Sequence, residues 1–375
     1  MKVEIVKVSD KNLKKQFIDF PHNLYKDDPL YVPELYLAQN EMMDTKKYPL
    51  FEFSDVEFFI AKKNGKIVGR VAAIHNRNYN DYHKANAGFF GFFDIIDDYE
   101  VTQALLDAAT DYLKEKGLIE IIGPCNYSTN ETAGLLVEGY DKSPLVMMTY
   151  NKPYYADHLE KYGFNKSMDL YAYMLWTKSV SDKSLRIAKA LEERLKKSGI
   201  TIRNMNLKNL KEEVKNIKPI YNAIWQDNWG FVPFTDKEIN HLADSLKMIA
   251  DDRWLYIAED NGKIIGFNIT LPDINQITKG FKKGRLFPFN IIKLLLNKRK
   301  TKYVRIIALG VLEEYRKKGI EAIFFAKNIE TAKETGVLGG EASWVLEAND
   351  MMIKAAKNLN GERYKTYRLY NKFLA

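Results

Sequence analysis

Two stretches of the chain place apolar runs on either side of the same short turn. Phe58-Phe59-Ile60-Ala61-Lys62-Lys63 and Lys66-Ile67-Val68-Gly69-Arg70-Val71 flank Asn64-Gly65. Leu255 to Asp260 and Lys263 to Gly266 flank Asn261-Gly262 in the same way. Asn-Gly tolerates two successive left-handed conformations, so each stretch predicts a β-hairpin with a two-residue loop. Ile-Ala-x-x-Asn-Gly-Lys-Ile-x-Gly is common to both, at an offset of 197 residues from Ile60 to Ile257. A shared phrase of that length predicts a two-unit duplication.

The pattern stays parallel downstream. Gly88 to Ile96 reads as a strand, Tyr99 to Lys116 as a helix stopped by Gly117, and Leu118 to Gly123 as the next strand. The second half repeats this with Val304 to Val311, then Ile320 to Glu334 stopped by Gly336, then Gly340 to Leu346. Its extra residues fall in 274–302, an insertion with Lys279, Lys282, Lys283, Arg285, Lys293, Lys298, Arg299 and Lys300. Ahead of the first hairpin come a strand at Val3–Val8 and helices around Leu13–Phe20 and Glu34–Met43. Pro21, Pro29 and Pro33 are expected to break the region between them. The first half closes with a helix running to Gly163-Phe164 and a hairpin that takes in Ser167–Trp176. The second closes with a helix to Asn358 and Tyr364–Phe373. A linker near Thr177–Lys183 and a helix from Leu185 to Lys197 divide two domains, 1–178 and 179–375. The expected class is α+β, each domain a mixed, mostly antiparallel twisted sheet flanked by helices.

Size and composition fit this reading: 375 residues favour two domains, and 46% hydrophobic with 13% aromatic residues supplies packed cores. One cysteine, Cys125, excludes a disulfide framework, and the five histidines lack metal-pair spacing, so no metal is expected. A net charge of +8 spread over 57 basic and 49 acidic residues suits an anionic small molecule better than nucleic acid. No signal peptide is read at Met1-Lys2-Val3-Glu4, and no apolar run is long enough to span a bilayer. The expectation is a soluble cytoplasmic protein without a membrane partner, monomeric or homodimeric.

The chemistry concentrates between Tyr303 and Ala326. An apolar strand leads into Leu312-Glu313-Glu314-Tyr315-Arg316-Lys317-Lys318-Gly319-Ile320, a cationic turn with one glycine, and then a helix. Helix-start N–H groups lack intrahelical partners and carry the positive end of the helix dipole, so this order makes an anion site. Neither GxxxxGK[ST] nor GxGxxG is present. An ordinary βα turn with solvated cations would look the same.

Arg316-x-x-Gly319 before a helix resembles the pyrophosphate loop of the GCN5-related N-acetyltransferases, (Arg/Gln)-x-x-Gly-x-(Gly/Ala), with Glu321 in place of the final small residue. The hairpins, strand order and closing elements extend the resemblance over most of the chain as tandem domains. It implies a gap between two central strands, with Leu309, Gly310 and Val311 lining the pantetheine arm of acetyl-CoA or another acyl-CoA. Arg316, Lys317, Lys318, Gly319 and Ile320 would hold the pyrophosphate. Asn349, opening the last helix, would border the cofactor. The first half has Glu100 and Gln103 where the second has Arg316 and Gly319, so it is expected to hold no pyrophosphate. The implied reaction is attack of a primary amine, from a small molecule or peptide, on the thioester.

Glu347 is the candidate base, acting through water, and a solvent-facing carboxylate is the plainer reading. Tyr364 and Tyr367 are the candidate acids, because the last helix contains no tyrosine. Trp225, Asp227, Asn228, Trp229 and Phe231 form an aromatic stretch that could hold an amine by cation–π contact and a carboxylate, or could be a satellite hydrophobic cluster. Asn126 and Glu131 lie in a polar loop of the first half and are further candidates for the acceptor, although loop propensity alone would place them there. The insertion leaves two alternatives open. Phosphates of tRNA could bind its cations across 279–302, as in tandem aminoacyl transferases, or the protein could be a non-catalytic relative.

Overall fold

Each Asn-Gly turn takes the conformation its sequence demands. Asn64 and Gly65 have φ of 51° and 72°, and Asn261 and Gly262 of 47° and 85°. The computed structural model describes residues 2–374. The strands are β1 Glu4–Lys7, β2 Ser54–Lys63, β3 Lys66–Asn76, β4 Ala87–Ile95, β5 Glu120–Gly123, β6 Leu135–Glu138, β7 Asn165–Trp176, β8 Ile200–Asn204, β9 Leu255–Asp260, β10 Lys263–Pro272, β11 Tyr303–Val311, β12 Gly339–Leu346 and β13 Glu362–Phe373. The helices are α1 Lys11–Leu24, α2 Tyr36–Met42, α3 Arg77–His83, α4 Tyr99–Glu115, α5 Tyr154–Lys161, α6 Asp182–Lys197, α7 Leu210–Trp225, α8 Asp236–Ile249, α9 Asn275–Thr278, α10 Asn290–Asn297, α11 Ile320–Thr335 and α12 Asp350–Asn358.

The chain divides into two compact units, with an exchange of segments. Unit 1 holds the chain up to Leu170, plus Thr278–Asn290 and the segment from Lys365 onward; unit 2 holds Tyr171–Ile277 and Ile291–Tyr364. These bounds differ from 1–178 and 179–375 where β7 and β13 pass from one unit to the other. The closing hairpin expected in the first half is the single long strand β7. Pro21 does not end the first helix either: α1 continues to Leu24, and Tyr25 donates its N–H to the Pro21 carbonyl at 3.0 Å. A proline removes one N–H but leaves its own carbonyl free to accept.

In unit 1 the strands run β1-β2-β3-β4-β5-β13, with β6 also paired to β13. All of these neighbours are antiparallel except β4 and β5. The core lies between this sheet and α4 and α5, around Phe90, Leu105, Leu106, Tyr155 and Tyr370. The amphipathic spacing of α4 turns Val101, Leu105, Ala109 and Leu113 to one buried face. In unit 2 the order is β8-β9-β10-β11-β12-β7, and β11 and β12 are the parallel pair. Leu195 of α6 and Ile320, Ile323 and Phe324 of α11 pack on Tyr256, Ala258 and Ile265. The duplication is therefore structural: hairpin, third strand, helix and parallel strand occur in that order in both units.

Candidate active site

The site in unit 2 begins as a fault in a β-ladder. β10 pairs with β11 from Gly266–Val311 to Ile269–Ala308, then resumes at Thr270–Ile306, leaving Ile307 as an extra residue. Such a bulge bends and twists its strand. On its other side β11 pairs with β12 only from Tyr303–Gly339 to Ile306–Ala342. Ile307 to Val311 continue without a rung to β12, and so do Ser343 to Leu346 on the facing strand. The strands part where the fold resemblance implies a pantetheine gap, and Leu309, Gly310 and Val311 belong to the part of β11 without a rung to β12.

Gly310 is required there. A Cβ at this position would lie 2.8 Å from Trp225 Cη2 and 2.9 Å from Ile224 Cγ2. Trp225, from the aromatic stretch, is thus brought against β11. Its ring stacks on Tyr221 at 4.7 Å and lies 5.7 Å from Phe267, while Tyr221 also meets Phe231 at 6.0 Å and Phe234 at 5.1 Å. Burial raises the pKa of the Tyr221 hydroxyl. Of the remaining candidates in this stretch, Asn228 forms the turn, donating its N–H to the Trp225 carbonyl and accepting from Phe231 N–H. Asp227 is exposed and Trp229 half-buried.

After Val311 the chain makes a 3-10 turn over Glu313–Lys318 and reaches Gly319 at φ 81°, ψ 20°. A Cβ at Gly319 would strike Leu191 Cδ2 at 2.6 Å, so both conformation and space demand glycine. Tyr315 fixes the turn by donating to Asp260 Oδ2 at 2.7 Å, with Lys318 4.8 Å over its ring. Lys317 and Lys318 are exposed, and Arg316 is half-buried. The first intrahelical bond of α11 is Ile323 N–H to the Gly319 carbonyl, which leaves the Ile320, Glu321 and Ala322 N–H groups at the helix start. The Glu321 carboxylate folds back onto its own N–H. Burial raises its pKa, and the backbone bond and Arg316 oppose that shift.

At the point of parting lies an array that the sequence reading did not anticipate. Arg305 and Glu341 face each other in the ladder, both buried, with Arg305 Nε 3.5 Å from Glu341 Oε1. Arg305 donates to Ser343 Oγ at 2.8 Å, Ser343 donates to Glu341 Oε1 at 2.6 Å, and Tyr364 donates to Glu341 Oε2. The Arg305 guanidinium also lies 5.1 Å over the Trp344 ring. Tyr364, expected as an acid, is thereby held by a carboxylate. Glu347 is half-buried in the turn after β12. Asn349 is a helix cap, its side chain accepting Met352 N–H at 3.1 Å. Tyr367 is not at this gap: it is fully buried in unit 1, opposite Leu136.

No family model matches the chain. Protein YghO of Escherichia coli K12 is 37% identical over 97% of this chain and 93% of its own length. The bacterial ceramide synthase of Caulobacter vibrioides is 34% identical over 96% of this chain and 94% of its own. Among solved structures, a tandem GNAT protein from the clavulanic acid biosynthesis pathway covers 100% of the chain and is itself covered to 99%, with TM-score 0.61 and 11% identity. The glucosamine N-acetyltransferase region of a fungal β-N-acetylglucosaminidase covers 99% at TM-score 0.56 and 16% identity, over 38% of that larger chain. The chain belongs to one family with YghO and bacterial ceramide synthase, and it has the tandem GNAT fold of these solved structures.

The other unit of this chain shows the same fold with the strand gap filled. In unit 1 the β4–β5 ladder stops at Phe89–Ile122, and the β3–β4 register slips between Arg70 and Ala72. Beyond that point the chain after β5 returns to β4. Cys125 donates its N–H to the Phe90 carbonyl at 2.7 Å, and Asn126 Oδ1 accepts Phe92 N–H at 2.7 Å. Gly91 is needed for this approach, since a Cβ there would sit 2.1 Å from the Cys125 carbonyl oxygen. At the start of α4, Asp98 accepts Glu100 N–H at 3.1 Å, and Lys63 pairs with both carboxylates. Asn126 thus occupies β4 rather than a free surface, and Glu131 accepts from the Tyr48 hydroxyl at 2.8 Å.

Among the described residues no cluster of His, Cys, Asp and Glu could hold a metal, and no helix is long and apolar enough to cross a membrane.

Proposed function

We propose that this protein is an acyl-CoA-dependent N-acyltransferase, with the acyl-CoA held by unit 2 and a long-chain amino alcohol or similar amphiphilic amine as acceptor. The observation that carries this reading is the parting of β11 and β12 after Ile306–Ala342, directly upstream of the Arg316–Gly319 turn. The residues present fit coenzyme A. The free β11 edge over Leu309–Val311 supplies backbone groups for an extended arm. Arg316 and the Ile320 and Ala322 N–H groups supply donors for a pyrophosphate, and Lys317 and Lys318 add positive field. Glu321 fits once its carboxylate turns off its own amide. Unit 1, with Asn126 on β4 and a capped α4, is read as structural.

The acyl-CoA supplies an acyl group activated as a thioester. Glu347 takes the proton of the attacking amine through water. Tyr364 Oη supplies the proton that the leaving sulfur takes up once its hydroxyl turns from Glu341 Oε2, and the amine proton collected by Glu347 restores the balance. The Trp225–Tyr221 stack beside Gly310 gives the acceptor an apolar wall. The acceptor class is favoured by the relative named as a ceramide synthase, since a ceramide is the amide of a fatty acid and a long-chain amino alcohol. On this reading the acyl group is longer than acetyl.

The test combines thermal unfolding with CoA thioesters of increasing chain length and mass-spectrometric detection of amide formed with sphinganine. Long-chain acyl-CoA is expected to stabilise the wild type and Arg316→Glu to abolish that stabilisation. Absence of stabilisation by every CoA thioester would overturn the proposal.

A further inference from the structure

The insertion between β10 and β11 turns its apolar side chains outward. Phe281, Leu286 and Leu294 are buried and pin it to the body. Lys283 pairs with Asp19, Lys279 donates to Ser143 Oγ at 2.9 Å, and Arg285 lies 4.6 Å over the Tyr36 ring. From this anchored base Phe287 and Phe289 lead into α10. There Ile292, Leu295 and Leu296, at i, i+3 and i+4, share one exposed helix face. Phe289 is 77% exposed and Leu296 66%, so α10 carries an exposed apolar face and two exposed aromatics directly precede it in the chain.

The charge around this face decides what it meets. Between Asp273 and Glu313 there is no acidic residue, and residues 279–302 contain nine lysines and arginines. Lys282, Arg285, Lys293 and Lys300 are exposed, while Arg299 pairs with Asp252 at 2.5 Å and Asp251 at 3.6 Å. A second copy of the chain would bring two such cationic segments together, which like-charge repulsion opposes. Nucleic acid would satisfy the cations, but the aliphatic Ile292, Leu295 and Leu296 gain nothing from phosphates or base edges. An anionic lipid surface satisfies both, with cations on the head groups and the apolar face in the acyl boundary.

We infer that residues 286–300 dock the protein on anionic bilayers as an interfacial element, bringing the enzyme to the surface where amphiphilic substrates reside. This is surface association without a membrane span, and it departs from the expectation of no membrane partner. The docking itself does not depend on the proposed chemistry, because it is read without any acyl-CoA.

The experiment is co-sedimentation of the full chain with vesicles of phosphatidylglycerol and phosphatidylcholine, and with vesicles of phosphatidylcholine alone. Wild type is expected to pellet with the anionic vesicles and to be released by salt. Phe289→Ser with Leu296→Ser, and separately Lys282→Glu with Lys300→Glu, are expected to weaken binding at least about tenfold. All four side chains are exposed, so the thermal unfolding midpoint should not move. Wild type that stays in the supernatant, or variants that bind as well as wild type, would overturn the inference. So would an apolar double variant that turns a dimer into a monomer while its vesicle binding is unchanged, or an RNA oligonucleotide retained where vesicles are not.

Discussion

Arg305 and Glu341 stand opposite each other one rung before β11 and β12 part, and the Tyr364 hydroxyl closes the array on the carboxylate. Removing Glu341 as Ala leaves a buried guanidinium without its counter-charge, at a cost of about 3–5 kcal/mol. Denaturant unfolding would read that loss directly. Tyr364→Phe removes one hydroxyl and no charge. It should cost about 1–3 kcal/mol, because Glu341 Oε2 loses a donor while buried, and lower kcat about 10²–10⁴-fold with little effect on KM for the acyl-CoA. Steady-state kinetics separate the two, and an unaltered kcat would remove Tyr364 from the proposed chemistry.

On the proposed reading Glu321 competes with a pyrophosphate oxygen for the amides at the start of α11. Glu321→Gln removes the competing negative charge and should tighten CoA binding, read as a larger thermal stabilisation at equal ligand concentration. The pH dependence has a fixed sign. A carboxyl whose folded pKa lies above its unfolded value makes the folded state less stable as pH rises from the ordinary glutamate range through that raised value. The Gln variant should lack this part of the pH profile, whether or not ligand is present.

Trp225 packs on Gly310 and stacks on Tyr221. Trp225→Ala is expected to raise KM for a long-chain amine more than for the acyl-CoA. A half-buried indole also supports α7, so a stability loss of about 2–3 kcal/mol should accompany it. Equal changes in the two KM values would mean that the ring serves the fold alone.

His22 supplies a pH-dependent term in unit 1. Burial, aided by the Arg70 charge, lowers its pKa from 6.5 to about 4, and Nδ1 faces the Tyr31 hydroxyl at 3.3 Å. A base depressed in the fold contributes its full stability above the unfolded pKa and loses it as pH falls. Stability should therefore decline from about pH 6.5 toward pH 4, by up to about 3 kcal/mol. Unfolding of His22→Gln across this range should show a flatter dependence.

What the sequence made legible was what neighbouring residues encode. The Asn-Gly turns, the glycine stop at Gly336 and the left-handed Gly319 are local conformational demands, and each is met. The parting of strands was suggested by resemblance, but its place depends on where the β11 ladder slips at Ile307, which no local pattern specifies. The Arg305–Glu341–Ser343–Tyr364 array was missed for the same reason: alternation says that such residues face inward, but only register says that they meet. Tyr221 carried a readable signal, four residues before Trp225 on one helix face. Glu321 announced itself as the residue that breaks the small-residue pattern, and its carboxylate lies on the amide the pattern leaves free.

Unit 1 borrows its edge from the far end of the chain: Tyr370 to Phe373 pair with Gly123 to Glu120, and Lys365 donates to the Gly139 and Lys142 carbonyls. During synthesis β5 therefore lacks this partner until residues 370–373 have been made. The first half must wait, incomplete, for the second, and loss of residues 370–373 would be felt at β5, about 250 residues earlier.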